Sequence, residues 1–231
     1  MNSAQLAAAL DSTNLRLDAS AADIVALCHE AAAHRFACVM IYPASVPLAA
    51  RELAGTGIKI GTVIGFPSGR FSTAAKAAEI VTMHAAGAHE VDIVMNYAAL
   101  RDGDTALVAA ELTTLVQLAH RNGQLTKVIV ETCYLDAAQR HTALRLCEDA
   151  GADFIKTSTG FGSAGAQVAD IFAWAAARRG SIQLKASGGI KNLSDAQLLL
   201  AAGATRLGTS NAATILAEFN GTRPAVSPVG Y

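Results

Sequence analysis

Short apolar runs recur along the chain at intervals filled by helix-like stretches. Seven are clear: Ala37–Tyr42, Ile58–Phe66, Glu90–Met95, Thr126–Thr132, Phe154–Ser158, Ile182–Ser187 and Arg206–Ser210. They read as continuous β-branched or apolar runs rather than strict alternation, as expected of parallel strands covered on both faces. Ser20 followed by Asp23, and Ser194 followed by Gln197, fit a helix-capping pattern, and Asp136 is placed to cap a helix running to about Ala150. Ala86-Gly87-Ala88, Ala150-Gly151-Ala152 and Ala202-Gly203-Ala204 each stand where a helix should stop before a strand. Glycine there supplies the left-handed residue that closes a helix. The repeating unit is helix, glycine stop, strand. An eighth strand around Leu10–Leu15, near Asp11, would complete a (β/α)8 barrel, a TIM barrel of α/β class, as a single domain over 1–219. An open doubly wound sheet is the alternative. No GxGxxG follows the first strand and no GxxxxGK[ST] occurs, so a nucleotide site is not supported.

Charge narrows the partners. Among 231 residues, 18 basic side chains nearly balance 19 acidic ones. Nothing here argues for a nucleic-acid surface or an anionic membrane, so phosphate affinity has to come from a local site. Cys28, Cys38, Cys133 and Cys147 lie apart in apolar stretches without a CxxC pair, which reads as reduced thiols in a cytoplasmic protein. No secretory signal and no membrane-spanning run is expected. The six histidines form no HxH or HExxH pattern, so no metal and no cofactor is called for.

Three ionisable residues interrupt apolar strands: Asp92, Lys156 and Lys185. In a barrel the reactive groups sit at the C-terminal strand ends. A lysine beside a second cation has a lowered pKa and becomes an amine nucleophile. Lys156 and Lys185 fall on consecutive strands at similar depth, with Asp92 available to balance charge and move protons. A purely structural ion pair explains the spacing equally well. The small polar loops Thr157-Ser158-Thr159-Gly160 and Ala186-Ser187-Gly188-Gly189 leave room for a substrate and favour the catalytic reading. Gly188-Gly189 and Gly208-Thr209-Ser210, after the last two strands, suit a phosphate held on loop amides.

Taken in order, Asp11-Ser12-Thr13, Gly65-Phe66-Pro67, Glu90-Val91-Asp92, Phe154 to Gly160, Lys185 to Ile190 and Gly208-Thr209-Ser210 resemble deoxyribose-phosphate aldolases from about residue 10 to residue 215. The resemblance implies a (β/α)8 class I aldolase that reversibly cleaves 2-deoxy-D-ribose 5-phosphate to glyceraldehyde 3-phosphate and acetaldehyde through a Schiff base. It implies Lys156 as the Schiff-base lysine, Lys185 as the cation that keeps it nucleophilic, and Asp92 as the proton-relay carboxylate. Asp11 and Thr13 would support that relay, and Gly160, Gly188, Gly189, Gly208 and Ser210 would hold phosphate. The resemblance implies a phosphosugar and aldehydes as substrates; the sequence does not fix the oligomeric state, for which a homodimer is one candidate. Ser12, Arg16 and Met40 depart from the family's usual histidine, lysine and cysteine. The tail 220–231 ends in Tyr231, which reads either as a disordered terminus or, as in some members, as a residue that folds into the site. The rival functions are a ketose-using, transaldolase-like lyase and a non-catalytic phosphosugar-binding barrel.

Overall fold

A computed structural model describes residues 1–222. The eight strands are β1 (Leu10–Asn14), β2 (Cys38–Ile41), β3 (Lys59–Ile64), β4 (Glu90–Val94), β5 (Leu125–Ile129), β6 (Phe154–Lys156), β7 (Gln183–Ser187) and β8 (Arg206–Thr209). All neighbours pair in parallel in sequence order, and β8 closes on β1 through Leu10–Leu207 and Asp11–Gly208. The weak eighth strand is therefore real, and the open sheet is excluded.

The strands are buried throughout, but their residues alternate more sharply than a run of apolar letters suggests. Val91, Ile93, Val128, Ile155, Leu184, Ala186 and Leu207 pack into the shell beneath the helices. The residues between them, Glu90, Asp92, Lys127, Lys156 and Lys185, are buried and charged. Side chains of a strand point alternately to its two faces, so the second set fills the barrel interior. That interior is normally packed with branched apolar groups. Here one layer of it is ionic, beside a small apolar cluster of Leu15, Cys38, Met40 and Val63.

The α-helices among the described residues are α1 (Ser3–Ala7), α2 (Ala21–His34), α3 (Val46–Glu52), α4 (Thr73–Ala86), α5 (Tyr97–Arg101), α6 (Thr105–Arg121), α7 (Ala137–Asp149), α8 (Val168–Ala177), α9 (Leu193–Ala201) and α10 (Ala212–Phe219), and they begin and end for local reasons. Helix α2 (Ala21–His34) carries a capping box between Ser20 and Asp23, and α7 (Ala137–Asp149) one between Asp136 and Gln139. Helix α9 (Leu193–Ala201) corrects the expectation of a Ser194 cap. Asn192 is the cap, accepting the Asp195 N–H at 2.9 Å, and Ser194 already lies inside the first turn. Gly87, Gly151 and Gly203 all take positive φ, as the repeat requires. The last helix, α10 (Ala212–Phe219), packs against α9 and β1.

Candidate active site

The two lysines of interest are direct neighbours across the sheet, since Lys156 of β6 registers with Lys185 of β7. Both ammonium groups reach one oxygen of Asp92, on β4: Lys156 Nζ at 2.7 Å and Lys185 Nζ at 2.8 Å from Oδ2. Lys185 also donates to Asp11 Oδ2 at 2.5 Å. The other oxygen of Asp92 accepts from Lys127 Nζ at 2.8 Å, and Lys127 lies 2.6 Å from Glu90 Oε2. Arg206 completes the layer, 2.7 Å from Asp11 Oδ1 and 3.6 Å from Glu90, with its guanidinium over the Phe154 ring. The cluster thus sets four basic groups against three carboxylates. If every group is ionised, one positive charge is in excess. Among the described residues Lys156 has a single ionic partner, Asp92, whereas Lys127 and Lys185 each touch at least two carboxylates.

The titration behaviour follows from that asymmetry. Burial, together with the nearby cations Lys185 and Lys127, lowers Lys156 to about 8 against the opposing pull of Asp92. Burial also works against the charge of Lys127, but Asp92, Glu90 and Asp11 outweigh it and hold this amine well above its ordinary value. Burial alone would raise Asp92 and Asp11. The surrounding cations instead hold Asp92 well below the carboxylate range and Asp11 at about 2. The proton in surplus therefore resides on Lys156 and is the one most easily lost near neutral pH.

Lys156 opens into a cleft of about 600 Å³ at the C-terminal strand ends. Thr13, Thr159, Gly160, Ser187, Gly188, Gly189, Gly208 and Ser210 line it, so the structure brings the expected glycines and Ser210 together with the lysine. Lys185 and Asp92 sit beneath it, fully buried. Thr13 faces the cleft and donates to the Asp11 carbonyl at 3.0 Å, while the Asp11 carboxylate belongs to the buried ionic layer. Gly188 and Gly189 both have positive φ, which turns the chain sharply at the rim. Beside the cleft, Glu131 at the end of β5 is buried and takes both an amide and a hydroxyl hydrogen bond from Thr159. Burial raises its carboxyl above the ordinary value. Tyr231 lies outside the described residues.

The comparisons with known proteins agree with this geometry. A model of the DeoC/LacD family aldolases matches residues 5–217. The chain belongs to the DeoC/LacD family of aldolases. It is 42% identical over 216 residues to the deoxyribose-phosphate aldolase of Aciduliprofundum boonei, covering 94% of this chain and 97% of the relative. Identity to the enzyme of that name from Desulfitobacterium hafniense is 44%, over 94% of this chain and 99% of the relative. The structure superimposes on the tetrameric deoxyribose phosphate aldolase of Aeropyrum pernix with a TM-score of 0.88 at 33% identity, over 95% of this chain and 92% of that one. An aldolase named QR15 gives the same TM-score at 34% identity, over 94% and 96% of the two chains.

Within this aldolase the sequence reading missed Lys127, Glu90 and Arg206, which complete the ionic layer, and Lys191, a cation lining the cleft beside Gly189 and Ser210. Lys127 carried the same signal as Lys156, a charged residue inside an apolar run. Lys191 immediately follows the Gly188-Gly189-Ile190 loop, so the phosphate reading pointed to its neighbourhood. Of the departures from the family pattern, Arg16 pairs with Asp18 at the surface through two 2.9 Å hydrogen bonds, away from the cleft. Met40 packs with Leu15, Cys38 and Val63 in a small apolar cluster, and Ser12 is buried on β1. Asp11, Cys38 and Glu90 lie close enough together to suggest a metal centre. Both carboxylates, however, already face Lys127, Lys185 or Arg206, and burial holds the Cys38 thiol protonated. No helix among the described residues is long and apolar enough to cross a membrane.

Proposed function

We propose that the chain is a class I aldolase that reversibly cleaves 2-deoxy-D-ribose 5-phosphate to glyceraldehyde 3-phosphate and acetaldehyde, with Lys156 as the Schiff-base residue. The observation that carries this is the charge count: Lys156 holds the surplus proton of a seven-membered ionic cluster and faces the open cleft. Its free amine adds to C1 of the open-chain sugar, and loss of water gives an iminium ion. The cationic nitrogen then serves as the electron sink. The bond that breaks is C2–C3, because two carbons leave as acetaldehyde. Its electron pair becomes the enamine, and the C3 hydroxyl gives up its proton as C3 becomes the aldehyde of glyceraldehyde 3-phosphate. Protonation of the enamine at C2 and hydrolysis of the iminium release acetaldehyde and restore Lys156. The reaction so written needs no metal or cofactor, since the iminium performs the polarisation.

In this reading Asp92 Oδ2, shared by both lysine nitrogens, passes protons between them and the substrate. Lys185 eases loss of the Lys156 proton by repulsion, and Asp11 and Thr13 hold that arrangement. Gly160, Gly188, Gly189, Gly208 and Ser210 receive the phosphate, with Lys191 supplying positive charge at the rim. Residues 1–219 form the catalytic barrel, and Tyr231, outside the described residues, assists enamine proton transfer. We expect a homo-oligomer, in the simplest case a dimer, working in the cytoplasm.

Borohydride reduction in the presence of acetaldehyde, followed by peptide mass spectrometry, tests the reading. An ethyl group on Lys156 is expected. Trapping only with a ketose would make the enzyme transaldolase-like, and no trapping at all would leave a phosphosugar-binding barrel.

A further inference from the structure

Glu131 is a buried carboxyl for which the chemistry above has no use, and its backbone is in an unfavourable place. It takes φ 56° and ψ 68°, a left-handed conformation. For a residue with a long side chain this costs roughly 1–2 kcal/mol, and Gly or Asn would relieve it. A glutamate persists in such a position when its side chain is needed there. The carboxylate is spent mainly on one target, the Cys133 thiol being a weaker donor to Oε1 at 3.9 Å. Thr159 directs its N–H to both oxygens at 3.3 Å and its hydroxyl to Oε2. Thr159 Oγ1 in turn accepts the Phe161 N–H at 3.0 Å. Three residues on, Gly162 lies so close that an added Cβ would stand 3.1 Å from the Glu131 carboxylate and 2.7 Å from the Cys133 sulfur.

The segment held in this way joins the two halves of the cleft. It leaves β6 directly after Lys156, passes Thr159 and Gly160 in the cleft wall, and comes down on the β7 loop. There the Ala166 N–H donates to the carbonyls of Ser187 and Gly188 at 3.0 and 3.1 Å, and Gly165 touches Gly188 so closely that a Cβ would collide with its carbonyl. One end of the segment is fixed by the β7 loop and the other by Glu131. Both Thr159 groups are donors and they reach both oxygens, so the clamp suits a carboxylate, which has two acceptor oxygens, whereas a carboxamide has one and would turn an NH2 toward the donors.

We propose that Glu131 is a positioning residue that fixes Thr159 and Gly160 in the cleft wall and thereby sets affinity for the phosphorylated end of the substrate. The phosphate's place in the cleft rests on the function proposed above; the clamp does not. Glu131→Gln keeps the shape and removes the second acceptor, and Glu131→Asn suits the left-handed backbone while falling short of Thr159.

Each variant should raise KM for 2-deoxyribose 5-phosphate about tenfold. KM for unphosphorylated 2-deoxyribose and borohydride trapping of acetaldehyde on Lys156 should change less than twofold. Thr159→Val should reproduce the effect, and Glu131→Gln/Thr159→Val should be no worse than either single change, as for two ends of one interaction. Inorganic phosphate titrated calorimetrically should bind Glu131→Gln about tenfold more weakly than the wild type. The proposal is overturned if phosphate affinity and KM are unchanged in both Glu131 variants. It is equally overturned if trapping and both KM values deteriorate together, because the carboxylate would then serve general folding or the chemistry itself. Loss of acetaldehyde trapping in the wild type would instead remove the activity assignment, with the phosphate titration still deciding the clamp.

Discussion

Lys127→Met puts the charge count to a direct test. It removes a buried cation that touches Asp92 Oδ1 and Glu90 but is screened from the cleft by Asp92 and Lys156. Three basic groups then face three carboxylates, and Lys156 becomes a balanced cation instead of the surplus one. Two ammonium groups on opposite oxygens of one carboxylate stand about 6 Å apart, which at an effective dielectric constant of about 20 bounds their repulsion at about 3 kcal/mol, or about 2 pK units. Burial and Lys185 depress Lys156 more than Lys127 does and both remain in the variant, so Lys156 rises from about 8 by less than that bound. A rise of about 1 unit would lower the free-amine fraction at pH 7.5 from about one quarter to about 3%, roughly eightfold. The assay is kcat/KM against pH, with the ascending limb reporting Lys156 in the free enzyme. That limb should move up by about 1 unit in Lys127→Met. Because removing one partner of a buried pair is strongly destabilising, thermal unfolding should establish the temperature at which the variant is folded. Lys127→Met/Glu90→Leu also removes one carboxylate, so the surplus proton returns to Lys156 and the limb should fall back toward its original position. A single variant that is folded but has an unmoved limb refutes the reasoning. A limb moved to lower pH refutes it as well, since the proton would then have gone to Asp92.

The other changes probe separate parts of the site. Lys185→Leu removes the cation across the sheet from Lys156, and its activity profile should shift to higher pH or activity should vanish; an unchanged profile would end the division of labour between the two lysines. With Met40 in place of a thiol, and packed against Leu15 and Val63, the enzyme should keep its activity in concentrated acetaldehyde. Rapid inactivation with a covalent adduct away from Lys156, for instance on the half-buried Cys133, would count against that. Deleting Tyr231 should slow exchange of the enamine-derived methyl protons with solvent, measured by NMR in deuterated buffer, and equal exchange rates would dismiss the residue from proton transfer.

What could be read from the chain, and what could not, divides along the distance over which each interaction acts. Strands were legible because a parallel strand covered on both faces leaves a local apolar run. Helix stops were legible because Gly87, Gly151 and Gly203 carry their conformation in their own φ. The α9 cap was misplaced by two residues because Asn192 and Ser194 are both capping residues, and only the geometry shows Asp195, not Gln197, three positions into the helix. Lys156 and Lys185 stood out as charges inside apolar strands, and so did Asp92. Lys127 broke the same rule, yet its partners Asp92 and Glu90 lie on a different strand, and Arg206 meets Asp11 across 195 positions of sequence. Glu90 and Arg206 also open their strands, where a charge looks like an ordinary solvated end. What escaped the one-dimensional reading was therefore the pairing within the cluster rather than its reactive members. This matters for mechanism, because a lysine next to a second lysine is only a candidate nucleophile. Lys156 and Lys185 against Asp92 already leave one positive charge in excess, and adding Lys127 and Arg206 against Asp11 and Glu90 keeps that excess at one. What the added groups decide is where it falls: Lys185 gains Asp11 and Lys127 gains Glu90, while Lys156, with Asp92 as its one ionic partner among the described residues and the open cleft beside it, is where the barrel can release the proton.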